Sequence, residues 1–234
     1  MINIYAHSSK GPRATNQDYI LHTQIPDRGL LCCVADGVGG NQGGETASRL
    51  AVDTFHNHLK DNKLSLNDCI YKAHAEVLEK ASTDESLLGM ATTLTAVVID
   101  GYTLSGINCG DSRTYILRGN GLKQLSVDHS EVARLLKNGK LSKEDALDYP
   151  RKNVLDSAIG THKPLQVQTF NFTLEPKDRV ILMSDGVYSV VTKKDFRDLS
   201  KKFTSASKFG DEIISTAERR KTNDNYSIII IDIN

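Results

Sequence analysis

Residues 29–35 (Gly-Leu-Leu-Cys-Cys-Val-Ala) form a short unbroken apolar run, which predicts a strand buried on both faces. The run stops abruptly at Asp36-Gly37-Val38-Gly39-Gly40. Ala47, Leu50, Ala51, Phe55 and Leu59 then recur at three- and four-residue steps and predict a helix over 44–60. A second helix is expected over 65–82. It opens on Ser65-Leu66-Asn67-Asp68, a capping box with Asp in place of the commoner Glu. The middle of the chain changes character. Leu94–Ile99, Tyr102–Asn108, Arg113–Arg118 and Leu122–Leu125 read as four strands of an antiparallel meander. Asp100-Gly101 and Gly119-Asn120-Gly121 supply turn residues that tolerate positive φ. Residues 130–147 read as helical or irregular. Val180–Ser184 is another apolar strand ending in Asp185-Gly186, helices follow over 193–201 and 207–221, and Ser227–Ile231 is the last strand. Strands and helices come in blocks rather than in βαβ alternation, which favours an α+β fold with antiparallel sheets.

The chain has 234 residues and no Pro/Gly/Ser-rich linker or internal repeat, so a single domain over 1–234 is the expectation. Lys and Arg number 29, and so do Asp and Glu. The resulting net charge of zero argues against a broad basic footprint for nucleic acid. No apolar run approaches the ~18 residues that a membrane-spanning helix needs. The start, Met1-Ile2-Asn3-Ile4-Tyr5-Ala6-His7, lacks the basic and apolar regions of a signal peptide. Cys32, Cys33, Cys69 and Cys109 have no Cys-x-x-Cys spacing and the seven His do not cluster, so neither a disulfide framework nor a zinc site is expected. A cytoplasmic, thiol-reduced protein is the plain reading.

Four carboxylates stand out. Asp36 and Asp185 each follow a buried-strand pattern and precede Gly; Asp111 follows Ile107-Asn108-Cys109-Gly110; Asp224 lies just before the last strand. A carboxylate at the end of a buried strand is partly desolvated, which is costly without compensating positive charge. If these ends converge, the repulsion calls for a cation, and an all-oxygen donor set selects hard ions such as Mg²⁺ or Mn²⁺. The Gly after Asp36 and Asp185 lets the backbone turn tightly and brings a carbonyl close. Gly11-Pro12-Arg13-Ala14-Thr15-Asn16-Gln17-Asp18 is a second constellation. Its Arg is either one half of a surface ion pair or a planar fork for a phosphate.

In chain order these pieces are Gly11-x-Arg13-x-x-Asn16-Gln17-Asp18, Val34-Ala35-Asp36-Gly37-Val38-Gly39-Gly40, Gly89-Met90-Ala91-Thr92-Thr93 and Asn108-Cys109-Gly110-Asp111-Ser112-Arg113. Asp128-His129-Ser130, Asn153 through Gly160, Ser184-Asp185-Gly186 and Asp224-Asn225 follow. The series resembles the PP2C-type (PPM) family of metal-dependent serine/threonine protein phosphatases, in its small bacterial form. The resemblance implies a four-layer αββα sandwich of two antiparallel sheets flanked by helices. It implies hydrolysis of phosphoserine and phosphothreonine by two Mn²⁺ or Mg²⁺ ions that activate water. Asp36 would bridge the ions and the Gly37 carbonyl would bind one. Asp185 and Asp224 would complete the first ion's shell, Asp18 would orient water, and Arg13 would grip the phosphate. Asp111 with Asp185 resembles the ligands of a weaker third ion. The implied partners are phosphorylated proteins supplied by a Ser/Thr kinase, met by a monomer.

The chain also departs from that pattern. Gln17 stands where some relatives have a metal-contacting Glu, and Val38 where some have a general-acid His. Ser189 replaces an Asp common in bacterial members, which weakens the expectation of a third ion. Asp156-Ser157 replaces the usual Thr-Arg within a segment, about 128–160, that forms a mobile flap in relatives. Two alternatives follow: a catalytically weak or inactive module kept for binding or sensing, and a narrow-specificity partner-switching phosphatase. His129 reads as a structural hydrogen-bonding residue, Tyr188 as core or rim, and the Lys193-Lys194 and Lys201-Lys202 pairs as solvated helix surface.

Overall fold

The computed structural model describes residues 2–38 and 43–234; Gly39 and Gly40 of the expected glycine motif lie outside the described residues. The strands are β1 (Ile2–Ser9), β2 (Asp18–Ile25), β3 (Gly29–Val38), β4 (Ala91–Thr92), β5 (Leu94–Asp100), β6 (Thr103–Cys109), β7 (Arg113–Arg118), β8 (Gly121–Gln124), β9 (Gln168–Thr173), β10 (Arg179–Met183) and β11 (Tyr226–Ile233). The helices are α1 (Gly44–Leu59), α2 (Leu66–Thr83), α3 (Glu131–Lys137), α4 (Asp185–Tyr188), α5 (Lys193–Lys202) and α6 (Ala206–Arg219). One sheet runs β1-β11-β10-β7-β8 and the other β2-β3-β5-β6-β9, with β4 paired to β3; every pairing is antiparallel.

Strand alternation builds the layers. Leu31, Cys33 and Ala35 of β3 pack with Ala51, Phe55, Ala73 and Val77 of α1 and α2. Leu30, Cys32 and Val34, on the other face, pack with Ile229, Ile231 and Leu182 of the opposite sheet. Ile228 and Ile230 turn outward to Phe196, Phe209 and Ile213 of α5 and α6. Side chains of period two thus feed three cores, two between helix and sheet and one between the sheets. The result is the expected αββα sandwich. Ser65 and Asp68 form the expected capping box, and Thr192 with Asp195 forms another at α5.

Several expectations need correction. The four central strands are not one meander: β5 and β6 form a hairpin in one sheet, while β7 and β8 form a hairpin in the other. The chain changes sheets at Gly110-Asp111-Ser112, where the Gly110 carbonyl accepts from Asn108 Nδ2 and His129 N–H. Strands β1, β2 and β9 were not expected. They have one half-exposed face or lie at sheet edges, so their apolar signal is diluted. Helical structure in 130–147 is confined to α3, with turns beyond it.

Candidate active site

Antiparallel pairing gathers the carboxylates at one end of the sandwich. In the β2–β3 register Asp18 stands opposite Asp36, so the start of one strand meets the end of the next. In the other sheet Met183 pairs with both Ile228 and Arg113. Asp185, Asp224 and Asp111, each two to four residues beyond those pairs, are therefore brought together. A cleft of about 530 Å³ is lined by Asp36, Asp111, Asp185, Asp224, Gly37 and Arg13, together with Gln17, Val38, Thr93, Asn225 and, from the 128–160 segment, Asn153 and Leu155. Asp18 is not on its wall. It is 5% exposed, behind Asp36, and borders a smaller recess beside Arg49.

Glycine's role here is close approach. A Cβ at Gly37 would run into the Gly44 backbone, and one at Gly186 into the Asn225 carbonyl. Neither glycine takes a positive φ, so the tight turn expected of them is instead tight packing of strand ends. Asp185 does not end in a turn but opens α4.

Buried donors hold the site. Ser184 Oγ donates to Asp18 Oδ2 at 2.7 Å and accepts from Ser227 N–H at 2.9 Å, which links the two sheets. Thr93 Oγ1 accepts from the Asp36 N–H at 3.0 Å and lies 2.7 Å from Ser112 Oγ. Asn225 is the keystone of the 10–17 loop: its Oδ1 accepts from Gln17 N–H, and its Nδ2 donates to the Lys10 and Thr15 carbonyls, all at 2.8–2.9 Å. His129 Nδ1 accepts from Gly110 N–H at 3.3 Å, a structural hydrogen bond of the kind expected of it. Sequence reasoning missed Ser184, Thr93 and Asn225 as supports. All three stood inside the quoted motifs, but nothing local assigned them a supporting role.

Arg13 is not paired with Asp18, its neighbour in sequence. Its Nη2 reaches Asp224 Oδ2 at 2.8 Å, with the two side chains 54% and 36% exposed. The guanidinium therefore sits at the open side of the carboxylate cluster.

Burial, followed by the neighbouring carboxylates Asp18, Asp185, Asp111 and Asp224, pushes the Asp36 carboxyl well above its ordinary range. Asp18, Asp111 and Asp185 are also raised, with burial the largest cause in each. Among the described residues no group of three or more His, Cys, Asp or Glu already stands in a metal-holding array. The donor chemistry nonetheless suits a hard cation: it is all oxygen, and Asp18 Oδ1 is buried with no hydrogen-bond partner.

A layered sandwich with a carboxylate cleft at one end defines the class. Residues 5–223 match the family described as Protein phosphatase 2C, and the chain belongs to that family. It is 33% identical over 217 residues to the serine/threonine phosphatase stp of Listeria welshimeri, covering 89% of this chain and 86% of that one. The crystal structure of serine/threonine phosphatase Stp1 from Staphylococcus aureus superposes with a TM-score of 0.94 at 25% identity, covering 100% of this chain and 96% of that one. The catalytic domain of serine threonine protein phosphatase PstP, crystallised in complex with two manganese ions, superposes with a TM-score of 0.84 at 26% identity, covering 100% and 99%.

Proposed function

We propose that this chain hydrolyses phosphoserine and phosphothreonine esters of proteins and depends on Mn²⁺ or Mg²⁺. The observation that carries the reading is the convergence of Asp36, Asp111, Asp185 and Asp224 on one cleft with Arg13 at its mouth. Asp36, Asp111, Asp185 and Asp224 all line the cleft and Asp18 stands opposite Asp36 in the strand register, so no expected carboxylate is misplaced in the way an inactive binding module would predict.

Asp36 and the Gly37 carbonyl, with Asp185 and Asp224, would hold two ions; Asp111 with Asp185 would hold a weaker third. When bound, such ions supply a water acidic enough to ionise near neutral pH and positive charge beside the phosphoryl oxygens. Arg13 presents two donors of a planar fork to those oxygens and neutralises charge that grows in the transition state. Asp18, anchored by Ser184 behind Asp36 and with Oδ1 left without a partner, would serve to orient water held at the ions. Val38 on the cleft wall has no proton to give, so the departing Ser or Thr oxygen takes one from solvent. Asn153 and Leu155 contribute to the cleft wall, and the 128–160 segment would act as a flap over the substrate. The chain works as one catalytic domain, a cytoplasmic monomer whose substrates are supplied by a Ser/Thr kinase. No described helix is long and apolar enough to cross a membrane.

The test is phosphate release from a phosphothreonine peptide. Release should require Mn²⁺ or Mg²⁺, stop with chelator and fall at least a hundredfold, roughly, in Asp36→Asn. Undiminished release in chelator would refute the reading.

A further inference from the structure

Tyr188, the last residue of α4, does not line the cleft, yet its phenol donates to Asp111 Oδ2 at 3.1 Å. Asp111 Oδ1 accepts no hydrogen bond among the described residues. The Tyr188 ring is itself held: the Arg113 guanidinium carbon lies 3.6 Å from its centroid. Arg113 is fixed in turn by Asp128, with Nε 3.2 and 3.0 Å from the two carboxylate oxygens and Nη2 2.6 Å from Oδ2. Gln124 Nε2 completes the clamp on Asp128 Oδ1 at 2.7 Å. An unbroken line of contacts therefore runs from β8 to a carboxylate on the cleft wall.

A phenol turned inward needs one acceptor, and that of the partly buried Tyr188 takes a cleft carboxylate rather than a backbone carbonyl. The geometry points to Tyr188 as a positioning residue for Asp111, one that occupies Oδ2 and presents Oδ1 alone to a divalent cation shared with Asp185. This inference rests on the metal-dependent reading above. A carboxylate tethered through one oxygen has lost its rotational freedom before the cation arrives and binds with less ordering cost. Arg113 and Asp128 reach Asp111 through the ring and, without touching it, also act on it by their charges.

Isothermal titration of the full chain with Mn²⁺ tests it, comparing wild type, Tyr188→Phe, Asp111→Asn and the double variant, with thermal melting to confirm folding. The Phe variant keeps the ring under Arg113 and removes only the hydroxyl. Its weakest Mn²⁺ event should lose about tenfold in affinity while the tighter binding is unchanged. The same event should vanish in Asp111→Asn, and Tyr188→Phe should add nothing in that background. Arg113→Lys, which keeps the charge but gives up the fork on Asp128, should shift the event the same way by a smaller factor. Superimposable isotherms for wild type and an active Tyr188→Phe would overturn this inference alone. Absence of any Mn²⁺ binding by the wild type would overturn it together with the proposed function.

Discussion

Asp18 and Asp36 face one another across the β2–β3 pair, eighteen positions apart in sequence, while Ser184 from the opposite sheet donates to the Asp18 Oδ2 at 2.7 Å. Two acids forced together with little water are unstable as a pair of anions. Either a proton or a cation must stand between them.

This arrangement sets a pH dependence. Burial raises Asp18 and Asp185 to about 6 and Asp111 to about 7, against an ordinary value of 3.8. The folded chain thus holds these protons more tightly than the unfolded chain. The corresponding stability is fully present below the ordinary carboxylate value and is lost as pH rises through 6–7. In chelator, the melting temperature should fall between about pH 4 and 7 and level off above, and excess Mn²⁺ should restore it most at the higher pH. A flat profile in chelator would contradict the raised values.

Arg13 and Asp224 form an exposed ion pair, which contributes at most about 1 kcal/mol to stability. Substitution should therefore spare the fold and affect substrate. Arg13→Ala is expected to lower kcat/KM on a phosphopeptide by about a hundredfold, and Arg13→Lys by about tenfold, because Lys keeps the charge but not the fork. The melting temperature should hardly move. Steady-state kinetics beside a melting curve checks both halves.

Asn225 ties the 10–17 loop together through three hydrogen bonds, one accepted and two donated. Asn225→Ala should cost about 1–2 kcal/mol, since three partly buried backbone groups lose their partners. It should also raise KM by loosening Arg13. Asn225→Asp keeps the acceptor for Gln17 N–H but not the donors, so its stability should be intermediate. Denaturant unfolding gives the first effect and the KM the second; an unaltered KM in a destabilised Ala variant would show that the loop does not depend on this clamp.

Far from the cleft, Arg179 on β10 meets Asp232 on β11 at 2.6 and 3.0 Å and also donates to Ser200 Oγ and the Phe203 and Thr204 carbonyls, with both ionic side chains nearly buried. Arg179→Ala leaves Asp232 and the end of α5 without partners. It should destabilise by about 3–5 kcal/mol. Equilibrium unfolding in urea, with the linear slope unchanged, measures it.

The strongly periodic elements were legible in the chain. The apolar run of β3, the stepped residues of α1 and the Ser65–Asp68 box of α2 fell where expected, because burial on both strand faces or along one helix stripe leaves an unambiguous period. Strands β1, β2 and β9, all at sheet edges, were not read from the chain: β1 and β2 carry no regular apolar/polar alternation, and in β9 the alternation of Phe170 and Phe172 with polar residues spans only six positions. The carboxylates could be picked out by local context, as Asp after an apolar run. Their supports could not: a Ser, a Thr or an Asn next to a motif has the same local context whether it faces the site or not.

What the amino-acid sequence determined by itself is which side chains are candidates: acids at strand ends, a neighbouring Arg, apolar periods that divide the chain into two-faced strands and one-faced helices. These are properties of nearest neighbours along the chain, and the hydrophobic period encodes them directly. Which candidates meet was decided only by the tertiary structure. Antiparallel register placed Asp18 against Asp36, the sheet change at Gly110–Ser112 delivered Asp111 to the cleft, and packing at α4 set Tyr188 on Asp111 and Arg13 on Asp224 rather than on Asp18. Arg13 and Asp224 meet across 211 positions of sequence. No local pattern specifies such contacts, because their energy exists only once both sheets have closed on a common core and excluded the water that would otherwise screen the charges.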